Sequence, residues 1–135
     1  MTRREEYEYL LERCRRFYET ALMQIDREFY DLAAFSLEQA LQLFLKASLL
    51  KLGVDYLKTH SVRKLLELIY KITEDKEILN ILTKFSVELG SLEDAYITAR
   101  YIARSYSLEE INRLKKTVEE VIKIVRRITN QRSKT

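Results

Sequence analysis

At 135 residues, 47% of them hydrophobic, the chain has the length of one domain and enough apolar material for a real core. It holds no Pro and two Gly, too little punctuation for the turns of a many-stranded β fold, so helices joined by short loops are expected. The formal charge of +3 is uneven, with 14 Lys or Arg against 15 Asp or Glu over residues 1–90 and 10 against 6 over 91–135. That C-terminal excess suits a phosphate-bearing partner but is small beside the basic stripes of dedicated nucleic-acid binders.

One Cys and one His are too few for an intramolecular disulfide or a zinc site, so no metal or other cofactor is expected, and Cys14 reads as a small buried hydrophobe. Charges precede the first apolar run and interrupt every later one, which predicts a soluble, unexported, cytoplasmic protein with no membrane segment.

Tyr7, Leu10, Leu11, Cys14, Phe17, Ala21, Leu22 and Ile25 recur at helical spacing and give a first helix with one apolar stripe, ended by the charged break at Asp26, Arg27 and Glu28. The second helix carries two stripes, one through Leu32, Ala33, Ser36, Ala40, Leu43, Ala47 and Leu50, the other through Ala34, Leu37, Leu41, Leu45 and Leu52. Only a narrow wedge of Asp31, Glu38, Gln42 and Lys46 is polar, and it is expected to be a solvated seam on an otherwise covered, central helix. Gly53 is placed to end that helix in a left-handed conformation.

Ser61 is the expected N-cap of a third helix and Thr73 or Asp75 that of a fourth, stopped by Gly90. Ser91 is expected to cap a fifth helix, LEDAYITARYIA. Ser107 and Glu110 match a capping box on the last, whose stripe is Ile111, Leu114, Val118, Val121, Ile122, Val125 and Ile128. Residues 131–135 are expected to form a disordered basic tail behind a single domain over 1–130. The predicted architecture is all-α, an up-and-down bundle of five to six helices.

The stretch AYITARYIARSYS interleaves Tyr96, Tyr101 and Tyr106 with Arg100 and Arg104. Read as continuous helix, it puts Arg100 and Arg104 on one face with Tyr96 and Tyr101 beside them, where two guanidinium forks grip a phosphate and a phenol stacks on a base. The alternative is structural, with Tyr96 packed by its ring and the arginines paired with Glu93, Asp94 or the acidic first turn of the last helix. His60, beside Lys58, reads either as a phosphate contact or as a loop hydrogen bond, and Lys46 either as part of a pocket or as a snorkelling side chain.

The run DLAAFSLEQALQLFLKASLLKLG, followed by TH, LLELI and AYITARYI, resembles the HEPN family of small helical domains over residues 5–128. The likeness is carried by Ala34, Phe35, Gln39, Ala40, Lys46 and Ala47 on the central helix and by His60 in the next loop. It implies a four-helix core with an accessory helix, and a homodimer. It also implies one of two roles: a ribonuclease toxin with an Arg-x4-6-His motif, or the partner of a minimal nucleotidyltransferase, with nucleotide or RNA as ligand.

The ribonuclease motif is absent from this chain. The permitted positions after Arg100 hold Ser105, Tyr106 and Ser107, those after Arg104 hold Glu109, Glu110 and Ile111, and those before His60 hold Gly53, Val54 and Asp55. Metal-free RNA cleavage wants a group that moves a proton near neutral pH, which Tyr does poorly and His does well. The favoured reading is therefore a non-catalytic interaction module with no catalytic residue. Its candidate phosphate or nucleotide contacts are Arg100, Tyr101, Arg104, Tyr96, Lys46 and His60. A ribonuclease toxin and a purely structural homodimer are the alternatives.

Overall fold

The computed structural model describes residues 1–56, 58–101 and 103–133, apart from the side chains of Arg100, Tyr101 and Ser133. Over the described residues it is an all-α bundle of six helices: α1 Arg3–Asp26, α2 Tyr30–Lys51, α3 Val62–Thr73, α4 Lys76–Lys84, α5 Ser86–Tyr101 and α6 Leu108–Ser133. As the double stripe predicts, α2 is central and packs against α1, α3, α5 and α6. Leu37, Leu41, Leu45 and Leu49 are completely buried along it, against Leu65, Leu66, Leu89, Leu92 and the α6 stripe. Burial at roughly 1.5–3 kcal/mol per large aliphatic side chain makes this column the main source of stability.

The ends of α2 are set by two turns of the same kind. At its C-terminus Gly53 takes φ +86° and donates to the Leu50 carbonyl (3.0 Å), while Val54 donates to Leu49 (3.1 Å). These two bonds satisfy carbonyls the helix leaves open. At the α1–α2 turn Glu28 takes the equivalent place with φ +61°, donating to Ile25 (3.0 Å), and Phe29 donates to Gln24 (2.8 Å). The caps expected at Ser61 and Ser107 form, and Asp75 rather than Thr73 caps α4, accepting from the Glu77 amide.

Several expectations are corrected. Gly90 does not stop a helix. The break falls at Phe85, and α5 runs through Gly90 and Ser91, with the flanking Leu89 and Leu92 both fully buried and holding the segment to the core. Leu22 and Leu32 lie outside the core, 38% and 45% exposed, because each stripe is wider than the surface its neighbours cover. α6 continues to Ser133, into the segment expected as a tail. The wedge on α2 is not a solvated seam, since Glu38 is 0% and Gln42 4% exposed.

α1 and α6 both rest on α2 and leave between them a groove of about 1030 Å³ lined by Leu11, Cys14 and Ile122, which the Tyr18 hydroxyl spans to Glu119. Cys14 is buried, as expected. Burial pushes its thiol up to about 11, opposed by the charge of Arg126, in keeping with a residue used for packing. Among the described residues no helix is long and apolar enough to cross a membrane.

Candidate functional site

The polar wedge of α2 is where three of the sequence-predicted site residues meet. Glu38, Gln42 and Lys46 follow at four-residue spacing and so share one face. The Gln42 Nε2 donates to Glu38 Oε2 (2.8 Å), and the neighbouring Gln39 Nε2 donates to Glu38 Oε1 (2.7 Å). The Gln42 carbonyl therefore points outward, where Lys46 Nζ donates to it (3.0 Å) and His60 Nδ1 approaches to 3.5 Å. His60 reaches this position because it lies just before the N-cap of α3. Its ring stacks on Tyr96 of α5, with centroids 4.5 Å apart and planes 21° from parallel, and Tyr96 in turn faces Phe35 at 6.2 Å.

The outer part of this cluster can receive a ligand. His60 is exposed, Lys46 and Tyr96 are half-buried, and the Lys46 ammonium also lies over the Tyr56 ring (5.4 Å). Tyr56 is held by its hydroxyl, which donates to Glu6 (2.8 Å). An ammonium beside a partly exposed aromatic stack offers a charged hydrogen bond to a phosphate oxygen and a flat surface to a base.

The inner part is electrostatically unusual. Burial pushes the Glu38 carboxyl up to about 7, opposed by the hydrogen bonds from Gln42 and Gln39 and by the Lys46 charge, and reinforced by the nearby Glu93. Burial also lowers the Lys46 pKa, opposed by the charge of Glu38. Glu93 sits in a different setting. Its carboxylate accepts from the Ser61 hydroxyl (2.6 Å), the Arg63 amide (3.1 Å) and both arms of the Arg63 guanidinium (3.1 and 2.7 Å). Burial alone would raise it, but these bonds outweigh that and hold it below the ordinary carboxylate range. This latch ties α5 to the start of α3 and so fixes Tyr96 opposite His60.

Arg104 is not part of the cluster, which corrects the expectation of a shared helix face with Arg100. α5 ends at Tyr101, and Arg104 lies in the connection to α6. There its guanidinium covers the Tyr106 ring at 4.2 Å, donates to the Tyr106 hydroxyl (3.0 Å) and pairs with Glu110 (3.3 Å). Glu110 is already held by the reciprocal capping box with Ser107, each bond 3.1 Å. Tyr106 itself is in the core, 8% exposed. Arg104 makes the pairing with the acidic first turn of α6 that the structural alternative describes. Arg100 and Tyr101 have side chains outside the described residues.

Sequence reasoning missed Glu38 and Gln42 as buried groups and the Ser61–Arg63–Glu93 latch altogether. The signal for the first was present: a four-residue polar spacing flanked on both sides by apolar stripes leaves no open side. The second joins residues 30 and more apart and has no local signature. Among the described residues no group of three His, Cys, Asp or Glu side chains is placed to hold a metal ion.

The HEPN domain family model matches residues 7–128, so the chain belongs to the HEPN family. No curated protein matches it.

Proposed function

We propose that this HEPN domain is a non-catalytic interaction module, the homodimeric partner of a minimal nucleotidyltransferase, and that its Lys46–His60–Tyr96 face binds the phosphate and base of a nucleotide or RNA. The observation that carries this reading is the placing of the chain's one imidazole. His60 stands with Lys46 and Tyr96, whereas the corner that the ribonuclease motif would occupy is filled by a buried Tyr106, bonded to Arg104 and roofed by its guanidinium. Among the described residues of that corner, Arg104, Tyr106 and Glu110 are engaged in packing and capping, which supports a non-catalytic reading.

The test is to isolate the native assembly from its own cells and weigh it intact. Two copies of this chain with a second, nucleotidyltransferase-sized chain are expected, and a bare homodimer overturns the partner assignment. Saturable ATP binding that weakens about tenfold or more in Lys46→Ala is expected for the site, as for the loss of one charge-assisted hydrogen bond. RNA cleavage that disappears in Arg100→Ala would replace this reading with that of a ribonuclease.

A further inference from the structure

Among the described residues, Glu38 is the one carboxyl group that the fold encloses completely, at 0% exposure. Its two oxygens are served by neutral amides alone, those of Gln39 and Gln42. The groups facing it are few. On its own helix there is Lys46, one amide away through Gln42. On α5 there is Glu93, with Tyr96 at the rim, and from α3 comes Arg63, already bound to Glu93. From the loop before α3 there is His60, against the same Gln42 carbonyl, and beyond Lys46 stands Tyr56 with Glu6 of α1. Lys46 is therefore the only cation among them not already committed to a carboxylate of its own.

We infer that an anion held by Lys46 and His60 binds together with one proton, which Glu38 takes up. To reach Lys46 the anion replaces the Gln42 carbonyl as the ammonium's acceptor. It also adds negative charge beside two carboxylates while withdrawing the cation that balances one of them. Glu93 stays ionised because Arg63, Ser61 and a backbone amide hold its charge in place. Glu38 is enclosed and has only the two neutral side-chain amides, so it yields by taking up a proton. The carboxyl lies close enough to balance near neutral pH for this exchange to be small in free energy. The inference rests on the proposed anion-binding face, and it makes occupancy of that face depend on pH through a residue the ligand never touches.

The probe is inorganic sulfate, whose charge is constant near neutral pH, titrated calorimetrically in buffers of different ionisation enthalpy. Proton uptake approaching one per sulfate is expected above pH 7, with affinity falling toward tenfold per pH unit, the limit for one linked proton. Glu38→Gln keeps shape and one acceptor, and it should flatten the dependence, whereas His60→Gln should retain it. An unchanged slope in Glu38→Gln overturns the inference.

A second measurement needs no ligand. In Lys46→Met the carboxyl carbon of Glu38, followed by NMR in the free protein, should titrate at higher pH than in the native chain. A midpoint that stays in place also overturns the coupling. Failure of sulfate to bind, with the Lys46→Met shift present, would instead overturn the anion-binding reading and leave the Glu38–Lys46 coupling standing.

Discussion

The α2 wedge and the α5–α6 corner are built from similar side chains, each with a basic group, a Tyr and a Glu, yet acid acts on them with opposite sign. At the corner, the Ser107 amide and then the Arg104 charge hold Glu110 below the ordinary carboxylate range, so its contribution is present above the unfolded pKa and is lost as pH falls through the folded one. In the wedge, burial holds Glu38 up at about 7. Between its unfolded value near 4.3 and about 7 the folded state binds the extra proton, so stability falls as pH rises through that window and is level above it. A carboxylate met by backbone and guanidinium donors is a fastening. One met by neutral amides in a closed site strains against the fold whenever it is charged.

The largest effect that can break this comparison is therefore at Glu38. Its shift corresponds to about 3–4 kcal/mol of stability withheld above pH 7. Glu38→Gln should raise the urea midpoint at pH 8 by an amount equivalent to about 1–3 kcal/mol, the lower end reflecting one amide that must turn to pair with the new side chain. At pH 5 the two proteins should be nearly equal. A variant that is less stable at pH 8 than the native chain would mean that the carboxylate is a fastening after all.

The corner predicts a smaller change of ordinary kind. Ser107→Ala removes the hydroxyl that accepts the Glu110 amide at the start of α6, and a loss of about 1 kcal/mol is expected at neutral pH, read from the shift in thermal midpoint. The loss should not grow between pH 6 and 8, the range in which the wedge titrates. If it did, the two regions would be coupled.

Much of this arrangement was legible in the sequence, and the residues show why some was not. Ser61, Gly53 and the Ser107–Glu110 box were readable because caps depend on residues three or four apart. The central place of α2 was readable from its double stripe. Gly90 misled because a glycine's tolerance of a helix end does not oblige one there: a Cβ at that position would meet only the Arg63 Nη1 at 3.7 Å, an ordinary contact, and buried Leu89 and Leu92 decide the matter. Arg104 misled for a related reason. Spacing places residues on a face only while the helix lasts, and the Ser107 cap requires extended chain before it. The burial of Glu38 depends on α5 and α3 closing over the wedge, which local periodicity does not encode.

Arg104 gives the finest test of the difference between the regions. Its pair with Glu110 is about one-third exposed on both sides, where solvent screens ion pairs and their net value is small. Its position over the Tyr106 ring adds a cation–π contact of modest strength. Arg104→Ala should thus lower the thermal midpoint by no more than about 3 °C. The deficit should shrink in 0.5 M salt, because the ion pair is screened in the native protein too. Sulfate affinity should be unaffected, since among the described residues the contacts of Arg104 lie at the corner and none in the wedge. Loss of sulfate binding in this variant would move the anion site to the corner and restore the first reading of the Tyr–Arg stretch, with Arg104 as a ligand contact instead of a brace.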